Sequence, residues 1–210
     1  MNITEPVTML TDYALAAMAA FLAVLLLRAH RLNRQTSVWL WAGAFVATAV
    51  AAIIGGTSHG FTLLVSDPTK VALWKATVYS TGLVSFFMLS GAIVASITGQ
   101  LRLWLLVASG LKFLVYAVWM ATHSDFRYVI YDYAPAMFGV LILQAFAAYT
   151  WGEESAKWII AGVLVSFGGA SIQQSGFSLH ENFNNNDLYH INQMGAVYLF
   201  YKGGCLLKDR

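Results

Sequence analysis

Apolar residues along this chain fall into seven blocks, roughly 7–28, 37–59, 71–97, 101–121, 128–149, 157–176 and 185–202, divided by short polar stretches. Each block is near the ~20 residues a helix needs to cross a bilayer. The pattern predicts an all-α fold: a seven-helix transmembrane bundle, one domain over residues 1–210, whose short connections make successive helices neighbours. Pro6 suits the first turn of helix 1, where a missing N–H costs nothing. The seventh block breaks the pattern. The run Ser178–Met194 that leads into it is the most polar of the chain and carries His180, Glu181, Asp187 and His190.

Composition supports the membrane reading. Hydrophobic residues make up 59% of the chain and charged residues 10%, against about 25% charged in soluble domains. The first block reads as a retained helix, because no basic start or small-residue cleavage site accompanies it. A net charge of +2, with no basic patch, argues against a nucleic-acid partner, so membrane lipids are the expected surroundings. The lone Cys205 can close no internal disulfide.

Cation placement sets the expected orientation. With the N-terminus outside and the C-terminus cytoplasmic, the inner side holds Arg28, Arg31, Arg34, Arg102, Lys157, Lys202, Lys208 and Arg210, and the outer side only Lys70, Lys75 and Arg127. Trp39, Trp41, Trp74, Trp104, Trp119, Trp151 and Trp158 fall near predicted helix ends, as in an interfacial aromatic belt. In this topology His59, His123, His180 and His190 all come to the outer face, together with most of the acids. The positive-inside rule accounts for the acids but not for the histidines.

Depth then separates ordinary polar residues from costly ones. Only 15 residues separate Asp12 from Arg28, so Thr11 and Asp12 lie within the span. By the same count Asp187 and His190 lie within helix 7, while His59 and Asp132 sit near helix ends. Ionisable groups at such depth are expensive and face the bundle interior. Asp187 and His190, three apart, share one helix face. His59 ends helix 2 beside Gly55 and Gly56, which let another helix approach closely. Two readings stand. His59, His180 and His190 with a water match a catalytic zinc arrangement, with Asp187 or Asp12 as base or ligand orienter. Alternatively, His59 and His190 bond to Asp12, Asp132 or Asp187 and tie helices together. The run Asn184–Asp187 also reads as a helix cap. His123 reads as a helix end, and Lys112, near the middle of helix 4, requires an acid, a lipid headgroup or a shifted helix boundary.

Glu5-Pro6 with Thr11-Asp12-Tyr13, then Gly-Gly-Thr-Ser58-His59-Gly-Phe, then Asp187-Leu-Tyr-His190 with Gln193-Met194, resemble a family of uncharacterised seven-helix bacterial membrane proteins over almost the whole chain. More distantly the chain is similar to the CREST superfamily of alkaline ceramidases, adiponectin receptors and Per1 proteins. That resemblance implies a metal-dependent hydrolase of lipid amides or esters. Its site would use a helix 2 histidine, matched by His59 with Ser58 beside it, and a His-x-x-x-His pair on helix 7 of which His190 matches one member. The other member is missing, since Asn186 and Met194 stand four residues to either side, and helix 3 lacks an aspartate, Asp67 falling in the loop before it.

Two functions are therefore expected. One is a zinc-dependent membrane hydrolase of a lipid substrate, with Zn(2+) on His59, His180 and His190, and with Asp187, Asp12 and Ser58 as catalytic residues at the outer-leaflet end of helices 2 and 7. The other is a non-enzymatic lipid- or ion-binding, receptor-like bundle in which the same residues fix helix packing. The expected location is the bacterial inner membrane.

Overall fold

The computed structural model describes residues 3–210. Seven α-helices follow in order: α1 (Pro6–Asn33), α2 (Thr36–Phe61), α3 (Asp67–Ser96), α4 (Gly99–Thr122), α5 (Arg127–Trp151), α6 (Ser155–Ser175) and α7 (Asn185–Gly204). The first six are long and apolar enough to cross a membrane, so the chain is compatible with a multi-pass membrane protein. The seventh has 20 residues, about 30 Å at a rise of 1.5 Å per residue, but its first half is polar. Its amphipathicity is inverted relative to a soluble helix. Asp187, His190 and Gln193 are buried, and Ile191, Gly195 and Tyr198 face outward.

The helices overrun the apolar blocks at several ends. Asp67, expected in a loop, is the first residue of α3, with Pro68 in the first turn. An acid and a proline both favour a helix start. Hydropathy marks where lipid can begin, whereas hydrogen bonding and capping decide where the helix begins.

Packing closes six of the helices into a ring. α1 packs on α2, α2 on α3, α3 on α5, α5 on α6, α6 on α7, and α7 returns to α1. α4 stands outside the ring, against α3, with little contact to α5. Its outward side chains are apolar, among them Leu103, Val107, Leu111, Leu114 and Val118, which suits contact with acyl chains. Polar groups tether it. Lys112 Nζ lies 2.6 Å from Asp132 Oδ1 on α5, and Asp132 Oδ2 accepts from Ser85 Oγ of α3 at 2.5 Å. Tyr116 donates to the Val78 carbonyl at 2.8 Å, and Ser90 bonds Ser109 at 3.1 Å. Lys112 thus counters an acid within the bundle, and α4 holds the boundaries expected of it.

Small residues set the closest approach in the ring. A Cβ added at Gly56 would lie 2.9 Å from Asp12 Cβ and 3.1 Å from the Met9 carbonyl. Only glycine lets α1 sit this near α2, as its neighbour in sequence suggested. Trp41 departs from the interfacial belt. It is fully buried and packs edge-to-face on Phe200 with centroids 5.6 Å apart.

The end of the chain folds back over the bundle. Asp209 accepts from Thr36 N at 2.6 Å, Ser37 N at 2.8 Å and Ser37 Oγ at 2.6 Å, and so caps α2 from a distant part of the sequence. Arg210 pairs with Glu153 of the α5–α6 connection and lies over the Trp151 ring.

Candidate functional site: a polar cluster on the wall of a central cavity

The ring encloses a cavity of about 900 Å³. All six ring helices line it, and α4 contributes nothing to its wall. Most of the lining is apolar, for example Leu15, Phe45, Met88, Phe138 and Val197. The acidic and imidazole side chains gather toward the end where α1 and α7 begin, Asp12, His59 and His190, with Ser58, Tyr189, Gln173 and Asn186 beside them, while Thr48, Thr81 and Ser166 place hydroxyls farther along the wall.

Helix geometry brings Asp12 and His190 together. Asp12 sits on the face of α1 that packs across Gly55 and Gly56 of α2, and His190 on the buried face of α7. His190 Nε2 lies 3.2 Å from Asp12 Oδ1, with both side chains buried. The other ring nitrogen, Nδ1, lies 3.0 Å from Thr11 Oγ1. Thr11 Oγ1 in turn donates to the Thr8 carbonyl at 3.0 Å. A hydroxyl has one proton. The Thr11 hydroxyl is thus shared between the Thr8 carbonyl and His190 Nδ1, and the His190 ring is set between Thr11 and Asp12 of α1.

Asp187 plays a different part. It is fully buried and off the cavity wall. Its Oδ2 accepts from Asn184 N at 2.7 Å, while Asn184 Oδ1 accepts from the Asn186 and Asp187 amides, a reciprocal capping box that starts α7. The capping alternative read from Asn184–Asp187 is the one the geometry takes. Asp187 Oδ1 has no hydrogen-bond partner among the described residues.

His59 faces the same cavity from α2, and its Nδ1 lies 3.0 Å from Glu5 Oε2. His180 is elsewhere. It is exposed in the turn before α7, bridged to Phe183, with Nδ1 accepting from Asn182 N at 3.1 Å. Of the three histidines expected around zinc, the fold brings His59 and His190 to one cavity and leaves His180 on the surface. Among the described residues no group of three or more His, Cys, Asp or Glu side chains is placed to hold a metal ion. The donors present do not fit the expected zinc site. The reason is visible in the bonds: His190 has both nitrogens engaged, and the capping box holds the start of α7, turning residue 180 away.

Gln193 already stood in the motif read around His190, whereas Ser166 and Gln173 escaped sequence reasoning. Gln193 accepts from Ser166 at 3.1 Å and Gln173 donates to Asn186 at 3.1 Å, locking α6 to α7 beside the cavity. Glutamines in apolar blocks carry no periodic signal of their own. The half-buried tyrosines Tyr133 and Tyr189 also line the wall.

A model of a family of unknown function, DUF6962, matches residues 7–209. The chain belongs to that family. The match spans all seven helices and the Asp209 cap. No curated protein and no solved structure matches the chain. Family membership therefore establishes kinship over the whole bundle and brings no activity with it.

Proposed function

We propose that this protein is an integral membrane binding protein that takes an amphipathic molecule into the centre of its helix ring. The observation that carries this reading is the cavity. Its volume, about 900 Å³, lies toward the upper part of the ~300–1,000 Å³ range of small-molecule sites. Its wall is apolar over most of its length and polar at one end, the profile of a chain with a head group. The second of the two sequence-level functions, lipid binding without turnover, agrees with how the polar residues are used. Asp187 caps a helix, His190 and Asp12 satisfy each other, and His59 pairs with Glu5. In this proposal the N-terminus lies outside and the C-terminus in the cytoplasm of a bacterial inner membrane, because the cation-rich helix ends share one side of the bundle.

Ala170 lines the cavity from α6. Ala170→Trp places an indole in the space a ligand would fill. Uptake of a fluorescent lipid analogue by the purified protein is expected to fall by about tenfold or more, with the unfolding temperature held. Unchanged uptake overturns the proposal.

The hydrolytic reading has one observation in its favour: Asp12, Ser58, His59 and His190 all line the same cavity. Its CREST-like form needs zinc, and therefore a third ligand in place of the distant His180. Metal analysis of the detergent-purified protein decides it. Stoichiometric zinc that is lost in His59→Ala and in His190→Ala supports the hydrolase; a metal-free wild-type protein removes it.

A further inference from the structure

We infer that the head group received by this cavity is cationic, a protonated amine or a quaternary ammonium. The inference rests on the binding reading above and narrows it to a ligand class. Four observations carry it.

Among the described residues no lysine or arginine lines the cavity. Lys112 of the peripheral α4 is spent on Asp132 and Ser85, and Lys75 of α3 on the Met120 and His123 carbonyls. Asp12, by contrast, is on the wall. Its Oδ1 meets His190, and its Oδ2 lies against cavity-lining Gly55 and accepts no hydrogen bond among the described residues. Behind it, one turn before His190 on α7, the fully buried Asp187 keeps Oδ1 without a donor.

The histidines do not reverse this balance. His190 turns Nδ1 toward Thr11 and Nε2 toward Asp12, so both ring nitrogens face α1. His59 is already paired with Glu5. A carboxylate, sulfate or phosphate head would set further acceptor oxygens against Asp12 Oδ2, which itself lacks a donor. A cationic head supplies what Asp12 Oδ2 lacks. Trp74, Tyr133 and Tyr189 add aromatic surface to the same wall, which also favours a cation.

The test uses the full-length protein in nanodiscs of zwitterionic lipid, with permanently charged probes so that pH does not confuse the comparison. Decyltrimethylammonium, decanol and decyl sulfate share a chain and differ in the head; tetramethylammonium has the head alone. Binding is read as the shift in unfolding temperature with ligand concentration. Decyltrimethylammonium is expected to bind at least about tenfold more tightly than decanol and decyl sulfate, and tetramethylammonium far more weakly than any of them. In Asp12→Asn the preference for the ammonium probe over decanol is expected to collapse, with decanol binding retained. Equal or tighter binding of decanol or decyl sulfate by the wild type overturns the cationic assignment and leaves the cavity reading in place. Equal binding of tetramethylammonium keeps the cationic head and overturns the amphipathic reading in favour of a small free cation. Absence of binding by all four probes overturns the cavity reading itself. The wild-type ranking is decisive even if Asp12→Asn fails to fold.

Discussion

At the scale of single residues, this chain shows that a polar side chain in a membrane segment is explained by its partner rather than by its type. Lys112, Asp132 and Ser85 form one small network joining three helices. Removing one member strands another. Lys112→Met leaves a buried carboxylate without its cation and is expected to cost on the order of 3 kcal/mol, read as a lowered unfolding temperature in detergent. Lys112→Met combined with Asp132→Asn removes both charges and is expected to recover most of that loss. A double variant no more stable than the single one would show that the pair is not what holds α4. The depth of Lys112 was legible from the sequence, as was the need for a partner. The partner was not: Asp132 is 20 positions away, and nothing in either segment singles it out. For His190 the sequence offered Asp12, Asp132 or Asp187 as partners without choosing among them, and the fold sets it against Asp12 at the other end of the chain.

At the scale of elements, the seven helices were readable because lipid-facing length and apolar composition are properties of contiguous sequence. Their ends were less so, since caps are made by whatever side chain reaches them. α2 has no cap of its own; Asp209 provides one. Burial alone would raise the Asp209 carboxyl pKa, but bonds from Ser37 and Thr36 more than offset this and hold it below the usual carboxylate value. A carboxyl lowered in the folded state stabilises above its unfolded pKa, and that stability is lost as pH falls through the folded value. Asp209→Asn is therefore expected to lower stability by about 1 kcal/mol at neutral pH. The gap between variant and wild type should close on acidification below the ordinary carboxylate range. A gap that stays constant on acidification through and well below that range would mean the charge is irrelevant to the cap. The sequence ranked Arg210 and Lys208 as topological charges; the fold employs Arg210 in a pair with Glu153.

At the scale of the whole molecule, the ring and its peripheral helix decide what the protein can hold. Six helices enclose the cavity and the seventh element, α4, buttresses α3 from outside. The ends of the ring differ in charge. Arg28, Arg31, Arg34, Arg102, Lys157 and Lys202 cluster where α1 ends and α2 begins, and the cavity's polar residues lie toward the opposite end. In the orientation proposed above from the positive-inside rule, the cavity head faces outward. A fluorescent protein fused after Arg210 is then expected to fluoresce in bacterial cells, and a phosphatase that requires export is expected to stay inactive at the same position. The reverse result would place the cavity head toward the cytoplasm.

The sequence by itself determined the number of helices, their approximate spans, the glycine contact between α1 and α2, and the set of ionisable residues that had to be sheltered. These follow from local quantities: the free energy of placing each side chain in lipid and the bulk of each Cβ. Only the tertiary structure decided which sheltered residues meet. It put Asp12 on His190, Lys112 on Asp132 and Asp209 on the start of α2, left His180 on the surface, and opened a cavity lined by all six ring helices. Such pairings depend on the order and rotation of helices about the ring, which are fixed by packing between distant segments and leave no mark in any one of them.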